Sequence, residues 1–230
     1  MRIHAGTSGY AYKEWKPAFY PQELPGTAML RYYAERLATV EINNTFYRMP
    51  SKKVLQDWDA EVRPEFRFAV KATRRVTHFR RLRDVGNELD FLFGNLAALG
   101  VKLGPVLFQL PPNLPRDLPL LQDFLAQLPP QVRCVLEFRE PSWFDDTVYA
   151  ALRDSGVALC AMEEDDLEPQ VQPTARFGYF RLRRTSYDAH QLQAWVARIR
   201  AQPWDEAFVY FKHDTGAPQL ALEFLRQVGG

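Results

Sequence analysis

Eight short apolar runs, separated by longer amphipathic stretches, constrain the fold of this chain more than any other feature of its sequence. Each run is only a few residues long and is rich in β-branched or aromatic side chains, which favours buried strands over helices. The runs are Ile3–Thr7, Thr39–Ile42, Phe66–Val70, Val106–Leu110, Cys134–Phe138, Val157–Met162, Tyr179–Leu182 and Ala207–Phe211. The predicted helices are Ala28–Leu37, Lys52–Val62, Asn87–Leu99, Leu118–Gln127, Asp146–Ser155, Ala189–Ala201 and Pro218–Val228.

Strands that alternate with helices pair in parallel, because each helix serves as the crossover between two strands. Eight such units predict an α/β fold, a single (β/α)8 TIM-type barrel that takes up residues 1–230 as one domain. An open doubly wound sheet is the alternative, but no Gly-x-Gly-x-x-Gly follows the first run. The connection between strands 6 and 7, Glu163–Phe177, contains Pro169 and Pro173 and is therefore predicted to be irregular.

Charge and cysteine content exclude several classes of protein. The 29 Lys and Arg balance 28 Asp and Glu, which argues against a surface wholly committed to nucleic acid. Two cysteines, Cys134 and Cys160, cannot form a disulfide framework and fit a reducing compartment. The sequence shows no apolar leader after Met1 and no run of 18 apolar residues, so we expect a cytoplasmic protein with no membrane partner.

Several motifs, in the order in which they occur, resemble the YecE-like family, known as domain of unknown function 72. The motifs are Gly6-Thr7-Ser8-Gly9-Tyr10 with Trp15, Val40–Pro50, Phe68-Ala69-Val70-Lys71 with Thr77-His78, Gln109-Leu110-Pro111-Pro112, and Glu137-Phe138-Arg139 with Ser142-Trp143. The resemblance implies a TIM-type barrel and supplies no reaction. The chain departs from the family pattern at Arg183-Arg184, where His-Gly is common, and at Phe211-Lys212-His213-Asp214, where a Phe-Asn-Asn-His-like stretch is usual.

Polar residues at the carboxyl ends of the predicted strands are the candidate functional residues, because barrels of this type carry their sites there. We predict Glu137 and Lys71 as a proton-transfer pair, with Glu41 as a third charge that tunes them. We expect burial to raise the pKa of Glu137 and to lower the pKa of Lys71. A buried salt bridge that closes the upper layer of the barrel is the alternative role for these charges. The predicted substrate-binding residues are Ser8, Tyr10, Asn43, Asn44, Tyr47, Gln109, Arg139, Trp143, Arg181, Arg183 and His213.

The sequence contains few signals for a metal or cofactor site. It contains no His-x-His, His-Glu-x-x-His or paired Cys-x-x-Cys motif, and no motif for an organic cofactor. Glu41, Glu137 and Glu163 offer oxygen ligands for a cation of the Mg²⁺ type, a reading that we favour less than a site without metal. The acidic run Glu163–Asp166 is predicted to be a solvated loop in which only Glu163 reaches the rim.

Two sequence features predict the charge and the surroundings of the mouth of the barrel. Six basic side chains and no acid lie between Lys71 and Arg83, which predicts an electropositive mouth, with Lys71, Arg139 and Arg181 directed inward. The aromatic segment Ser8–Pro25 is too long for an ordinary connection and predicts a lid or wall.

These features favour an enzyme that acts on a small anionic, phosphorylated or sugar-like substrate by acid–base chemistry. Its reaction class stays open among hydrolase, lyase and isomerase. The alternative is a non-catalytic binding protein for an anionic ligand or, less favoured, for nucleic acid.

Overall fold

The computed structural model describes residues 1–212 and 215–229, and it confirms the predicted α/β barrel. Eight parallel strands pair in sequence order, and the first strand pairs with the eighth to close the barrel. The strands are β1 (Arg2–Ser8), β2 (Thr39–Ile42), β3 (Arg67–Lys71), β4 (Leu103–Gln109), β5 (Cys134–Glu137), β6 (Ala158–Glu163), β7 (Phe177–Leu182) and β8 (Glu206–Phe211).

Seven α-helices occur in the described part of the chain, and they follow every strand except β6. They are α1 (Met29–Ala34), α2 (Lys52–Glu61), α3 (Gly86–Leu96), α4 (Leu118–Leu125), α5 (Asp146–Asp154), α6 (Ala189–Arg200) and α7 (Ala217–Gly229). Residues 164–176, all of them described, contain an isolated bridge between Glu164 and Leu167 but no helix, as the two prolines in this connection predict. Among the described residues no helix has both the length and the apolar character needed to cross a bilayer.

Local signals in the sequence account for several helix ends. Ser51 caps the start of α2, since its side chain accepts a hydrogen bond from the backbone N–H of Val54. Asp188 and Gln191 form a reciprocal capping box at the start of α6. Gly100 makes a kink inside the 3₁₀ segment Ala97–Lys102 that follows α3, with a positive φ of 50° that glycine adopts without steric cost.

The alternation of each strand divides the apolar residues into two cores. One set fills the inside of the barrel and includes Ala69, Leu107, Val135, Phe208 and Tyr210. A larger set packs between the outer face of the barrel and the helices. Because neighbouring residues of a strand point to opposite faces, only every second residue can reach the mouth from the inside.

The segment between β1 and α1 forms a wall beside the mouth, as its aromatic content predicts. Trp15, Phe19 and Tyr20 are buried, and Phe19 and Tyr20 pack against Tyr32 of α1. The Tyr20 hydroxyl donates a hydrogen bond to the backbone oxygen of Tyr10 at 2.5 Å. The long connection is therefore held by its own side chains and by the first helix.

Gly6 and Gly94 provide a matched test of the packing at β1. A Cβ at Gly6 would lie 2.1 Å from the backbone oxygen of Thr39, whereas a Cβ at Gly94, on the exposed side of α3, would meet nothing within 4 Å. We expect Gly6→Ala to lower the free energy of unfolding by about 1–3 kcal/mol or more, because the neighbouring strand must shift. We expect Gly94→Ala to raise it by up to about 1 kcal/mol, because alanine favours the helix. Urea unfolding curves measure both, and equal effects of the two substitutions would contradict this account.

Candidate functional site

The carboxyl ends of the strands place one ring of polar side chains at the mouth of the barrel. Along each strand, side chains that point into the barrel alternate with side chains that point outward. Each strand therefore contributes to the mouth its last inward-pointing residue, or the inward-pointing residue just beyond its end. The ring consists of Ser8, Glu41, Lys71, Gln109, Glu137, Glu164, Arg181 and Lys212, one residue from each of the eight strands or from the residues just after it. A site that no single motif marks is thus assembled from positions spread over the chain.

A cavity of about 640 Å³ opens above this ring. Its polar lining includes Ser8, Asn43, Lys71, Gln109, Glu164, Arg139, Arg181, Arg183 and Lys212. Its apolar and aromatic lining includes Tyr12, Phe46, Tyr47, Pro112, Phe138, Pro141, Phe144 and Leu167. The mixture of charged and aromatic side chains fits a small polar ligand that has an apolar face or edge.

Arg181 joins two fully buried carboxylates in the floor of the cavity. Its Nη1 donates a hydrogen bond to Glu137 Oε2 at 2.7 Å, and its Nη2 donates to Glu41 Oε1 at 3.0 Å. Both glutamates have no exposed surface, and the Arg181 side chain is 3% exposed. Charges this deeply buried persist only when they are paired, so the three side chains act as one unit.

Glu41 is the better satisfied of the two glutamates. Its Oε1 also accepts hydrogen bonds from Ser8 Oγ and Asn43 Nδ2, each at 2.9 Å, and its Oε2 accepts one from the Tyr179 hydroxyl at 2.7 Å. Burial raises the pKa of Glu41, but Arg181 and these three donors outweigh burial and hold the pKa below its usual value. Glu41 is therefore a fixed negative charge.

The expectation that the pKa of Glu137 is raised is wrong. Burial does act in that direction, but the guanidinium groups of Arg181 and Arg139 outweigh it, so the pKa lies below its usual value. Arg139 Nε donates to Glu137 Oε1 from the same face of the chain, two residues further on. Glu137 is ionised and engaged on both oxygens, and its side chain is covered by the arginines that line the cavity.

The amine of Lys71 differs from the guanidinium group of Arg181, because it has no carboxylate partner within ion-pair distance among the described residues. Its Nζ donates a hydrogen bond to the neutral amide oxygen Oε1 of Gln109 at 2.7 Å and lies 4.3 Å from the centre of the Phe46 ring. Burial and the positive charge of Arg181 lower the pKa of Lys71 to about 8, and the negative charges of Glu137 and Glu41 oppose this only in part. The predicted direction of this shift is confirmed.

Arg139 and Arg183 form a partly exposed cationic rim around Glu164. Glu164 Oε1 lies 3.4 Å from Arg139 Nη1 and 3.7 Å from Arg183 Nε. The prediction that only Glu163 of the acidic run reaches the rim is wrong, because Glu163 points outward from β6 and accepts hydrogen bonds from Tyr187 and Trp195. The side chain of the next residue, Glu164, points into the barrel and reaches the mouth instead.

Positive charge exceeds negative charge around the cavity, in agreement with the predicted electropositive mouth. Five basic side chains line it, and three carboxylates lie in its lining or floor. Lys71, Arg139 and Arg181 are directed inward as predicted. Part of the basic run that follows β3 lies elsewhere: Arg80 pairs with Glu88 and Arg83 pairs with Asp117, both at exposed positions.

Several predicted binding residues do not line the cavity. Trp143 is fully buried, stacks on Phe138 and donates a hydrogen bond to the Leu114 backbone oxygen at 2.7 Å. Tyr10 packs into the wall segment, and Asn44 is exposed outside the lining. The predicted residue His213 lies outside the described residues.

Other lining residues were not predicted from the sequence as site residues. The set includes Tyr12, Phe46, Phe138, Phe144 and Glu164. The alternation of inward and outward residues could have pointed to Glu164, since it lies two residues beyond the inward residue Met162 of β6. The aromatic members depend on loop geometry, which carries no such periodic signal.

The three glutamates considered as ligands for a cation do not converge. Glu41 and Glu137 are joined through Arg181, and Glu163 lies on the other side of β6 beside α6. The described residues contain no group of three or more His, Cys, Asp or Glu side chains arranged to hold a metal ion. The arrangement instead suits oxyanion binding by arginines and proton transfer at an amine.

Comparisons with known proteins agree with the fold and the motifs. Residues 4–230 match the family described as "Protein of unknown function DUF72". The chain is 30% identical over 161 residues to the UPF0759 protein YecE of Escherichia coli, an alignment that covers 67% of this chain and 57% of YecE. It is 24% identical over 155 residues to the UPF0759 protein YunF of Bacillus subtilis, covering 64% of this chain and 54% of YunF.

A solved structure shows the same barrel. The crystal structure of a DUF72 family protein from Thermotoga maritima superposes with a TM-score of 0.87 at 23% identity and covers all of both chains. By contrast, the sequence alignments span little more than half of the length of the curated relatives.

Removing Arg181 tests whether the buried charges act as one unit. We expect Arg181→Met to lower the free energy of unfolding by about 3–5 kcal/mol, because it leaves buried carboxylates without their shared partner. In the native protein the lowered pKa values of Glu41 and Glu137 contribute stability above the unfolded-state pKa, and this stability is lost as the pH falls through the folded-state values.

Arg181→Met should also reverse the direction in which the free energy of unfolding changes with pH. Without Arg181, burial should raise the folded-state pKa of these carboxyl groups above the unfolded-state value of about 4.3, so that stability falls as the pH rises above it. Urea unfolding at mildly acidic and neutral pH measures this, with Arg153→Met on the exposed side of α5 as the control. A variant that is as stable as the native protein, with an unchanged pH dependence, would contradict the account.

Proposed function

Because the chain belongs to the DUF72 family of proteins of unknown function, we propose its function from the chemistry of its site: it is an enzyme that acts on a small anionic substrate at the carboxyl end of its barrel. The observation that carries this proposal is the amine of Lys71, which lies in a cavity bordered by arginines and has a pKa of about 8. A group that titrates near neutral pH inside a ligand-sized cavity is characteristic of acid–base catalysis.

Arg139 and Arg183 bind the anionic part of the substrate in this proposal. Their side chains are 20% and 16% exposed, so each has lost much of its water and still presents donors to the cavity. A guanidinium group matches the geometry of a carboxylate or a phosphate with two parallel hydrogen bonds. Lys212, which follows β8 beside the strand that leads into Arg183, adds positive charge to the cavity.

Lys71 transfers the proton. Its neutral form accepts a proton from the bound substrate, and its charged form returns one, so a pKa of about 8 supports both directions. Glu41 and Glu137 act through Arg181: they hold the guanidinium group in place, and their charges limit how far the pKa of Lys71 falls. They are positioning residues, because the arginines separate them from the cavity.

A second candidate function, binding of single-stranded nucleic acid, is favoured by one surface beside the mouth. Tyr47 is 69% exposed and Phe79 is 64% exposed, and the guanidinium group of Arg74 lies 5.5 Å and 5.1 Å from the centres of their rings. Exposed aromatic rings interleaved with arginine suit stacked bases and their phosphates. Such binding weakens steeply with salt, which distinguishes it from binding of a small ligand in the cavity.

The titration of Lys71 is a direct test of the site that needs no substrate. Besides burial, the groups that shift its pKa are Arg181, Glu137, Glu41 and Arg183. Burial and then the charge of Lys71 lower the pKa of the His78 ring. We expect the rate at which trinitrobenzenesulfonate modifies Lys71 to rise with pH through a midpoint near 8. Arg183→Gln should move that midpoint upward, because it removes a positive charge that disfavours the protonated amine. Arg153→Gln should leave it unchanged, and a Lys71 midpoint near 10 in the native protein would contradict the proposal.

A search for turnover tests the function itself. We expect a panel of phosphorylated and carboxylated metabolites, followed by NMR, to include at least one that the protein converts. Lys71→Met should lower kcat by about 10²–10⁴-fold while the ligand still binds, because the arginines remain. Arg183→Gln should mainly raise KM. Ligands that bind without conversion, with the same affinity in Lys71→Met, would instead identify a binding protein, and steeply salt-dependent binding of oligonucleotides would support the second candidate.

A further inference from the structure

The surroundings of Lys71 differ from those of a lysine that serves only as a positive charge. The chain has seven lysines, and only Lys71 and Lys212 line the cavity. Lys102, which is buried elsewhere, illustrates the contrast, because it donates to two backbone carbonyl oxygens and lies 3.2 Å from Asp59 Oδ1. Lys71 instead faces an aromatic ring, a neutral amide and two arginines.

We propose that the amine of Lys71 is a nucleophile that forms an imine with the aldehyde or ketone group of a substrate carrying a carboxylate or a phosphate. This inference rests on the proposed function and gives its site a substrate class, namely small anionic carbonyl compounds. Lys71 is then a catalytic residue in the strict sense, because its nitrogen becomes bonded to the substrate.

The geometry supplies the three conditions that such a reaction needs. The amine projects from the end of β3 into open space, so that a carbonyl carbon can approach it. The Phe46 ring covers one side of Nζ, and Gln109 Oε1 orients the amine through its hydrogen bond. Arg139 and Arg183 lie in the same cavity and can fix the anionic end of the molecule while its carbonyl group meets Lys71.

The charge environment keeps the amine available for attack. Only a neutral amine is nucleophilic, and a lysine with an ordinary pKa is about 0.1% neutral near pH 7.5. At the pKa of about 8 that burial and Arg181 give Lys71, roughly a quarter of the molecules carry a neutral amine at that pH. An adjacent cationic group is one of the known ways in which a protein activates a lysine nucleophile.

Arg181 offers a further polar contact for the bound molecule. Its two terminal nitrogens are engaged by Glu41 and Glu137, but its buried Nε has no hydrogen-bond partner among the described residues. A buried donor without an acceptor is costly unless a ligand or water supplies one. Since Arg181 also lines the cavity, an oxygen of the substrate can serve as that acceptor.

The reaction balances without an oxidant, a reductant or a metal. The lone pair of Nζ attacks the carbonyl carbon to form a C–N bond, the π electrons move to the carbonyl oxygen, and a proton passes from nitrogen to that oxygen. The resulting carbinolamine loses its hydroxyl group as water, after taking up one proton, while nitrogen forms the double bond to carbon. The protonated imine that results attracts electrons from the neighbouring carbon, which favours proton removal or bond cleavage there.

Reductive trapping tests the proposal on the whole protein. The protein is incubated with pyruvate or with dihydroxyacetone phosphate in the presence of sodium cyanoborohydride, and the adducts are located by intact mass and peptide mapping. We expect one predominant adduct at Lys71, in about tenfold or greater excess over any other lysine, because its neutral fraction is much the highest. Lys71→Arg and Lys71→Met should abolish that adduct, and Lys53→Arg, an exposed position on α2, should retain it. Inorganic phosphate should slow trapping in the native protein and have less effect in Arg183→Gln.

The outcomes separate this inference from the proposed function. Labelling spread evenly over the lysines, or an adduct that persists in both Lys71 variants, would overturn the imine. If Lys71 is not trapped but a metabolite is converted in a Lys71-dependent way, the imine fails and the proposed acid–base enzyme stands. If Lys71 is trapped specifically but no compound is converted, the reactive amine stands and the proposed function fails.

Discussion

The contact of Arg181 with Glu41 and Glu137 is the interaction on which the upper half of this barrel depends. It joins β7 to β2 and β5 across the interior, so three strands that do not pair with one another share one set of charges. Apolar side chains fill the layers beneath it, and the cavity opens above it. Each charge makes the burial of the other two tolerable, so none of the three can change independently.

The charges of Arg181, Glu41 and Glu137 also act on the pKa of the neighbouring amine of Lys71. Burial lowers the pKa of Lys71 most, the positive charge of Arg181 lowers it further, and the negative charges of the two glutamates oppose both. Of the two roles that the sequence leaves open for these charges, the structure shows the salt bridge for Glu41 and Glu137. The amine of Lys71, for which we propose proton transfer, lies beside it in the same ring.

Much of the fold could be predicted from the sequence, because strand and helix periods are local signals. The eight runs, the seven helices and the irregular connection after β6 all follow from such signals. The candidate site followed from them only in part. The inward position of Lys71 and Arg181 comes from strand phase, whereas the pKa of Glu137 depends on which arginine reaches it from β7, 44 residues away in the chain. No local pattern contains that information.

The acidic run after β6 is a second place where the local sequence predicts only part of the structure. Its composition is typical of a solvated loop, and a solvated loop is what most of it forms. Because neighbouring residues of a strand point to opposite faces, Glu163 points outward to Trp195 and Glu164 points inward to Arg183. Two chemically identical neighbours thus have different roles, which register determines and composition cannot reveal.

The distance along the chain between the paired charges has a consequence for how the protein is made. Glu41 and Arg181 are 140 residues apart, so a ribosome releases both glutamates well before their common partner. Enclosing carboxylates in a dry interior without a partner is costly, so a chain that lacks β7 has no low-energy way to close the mouth over them. Because β7 and β8 lie in the last quarter of the chain, the closed barrel becomes favourable only when that quarter is present.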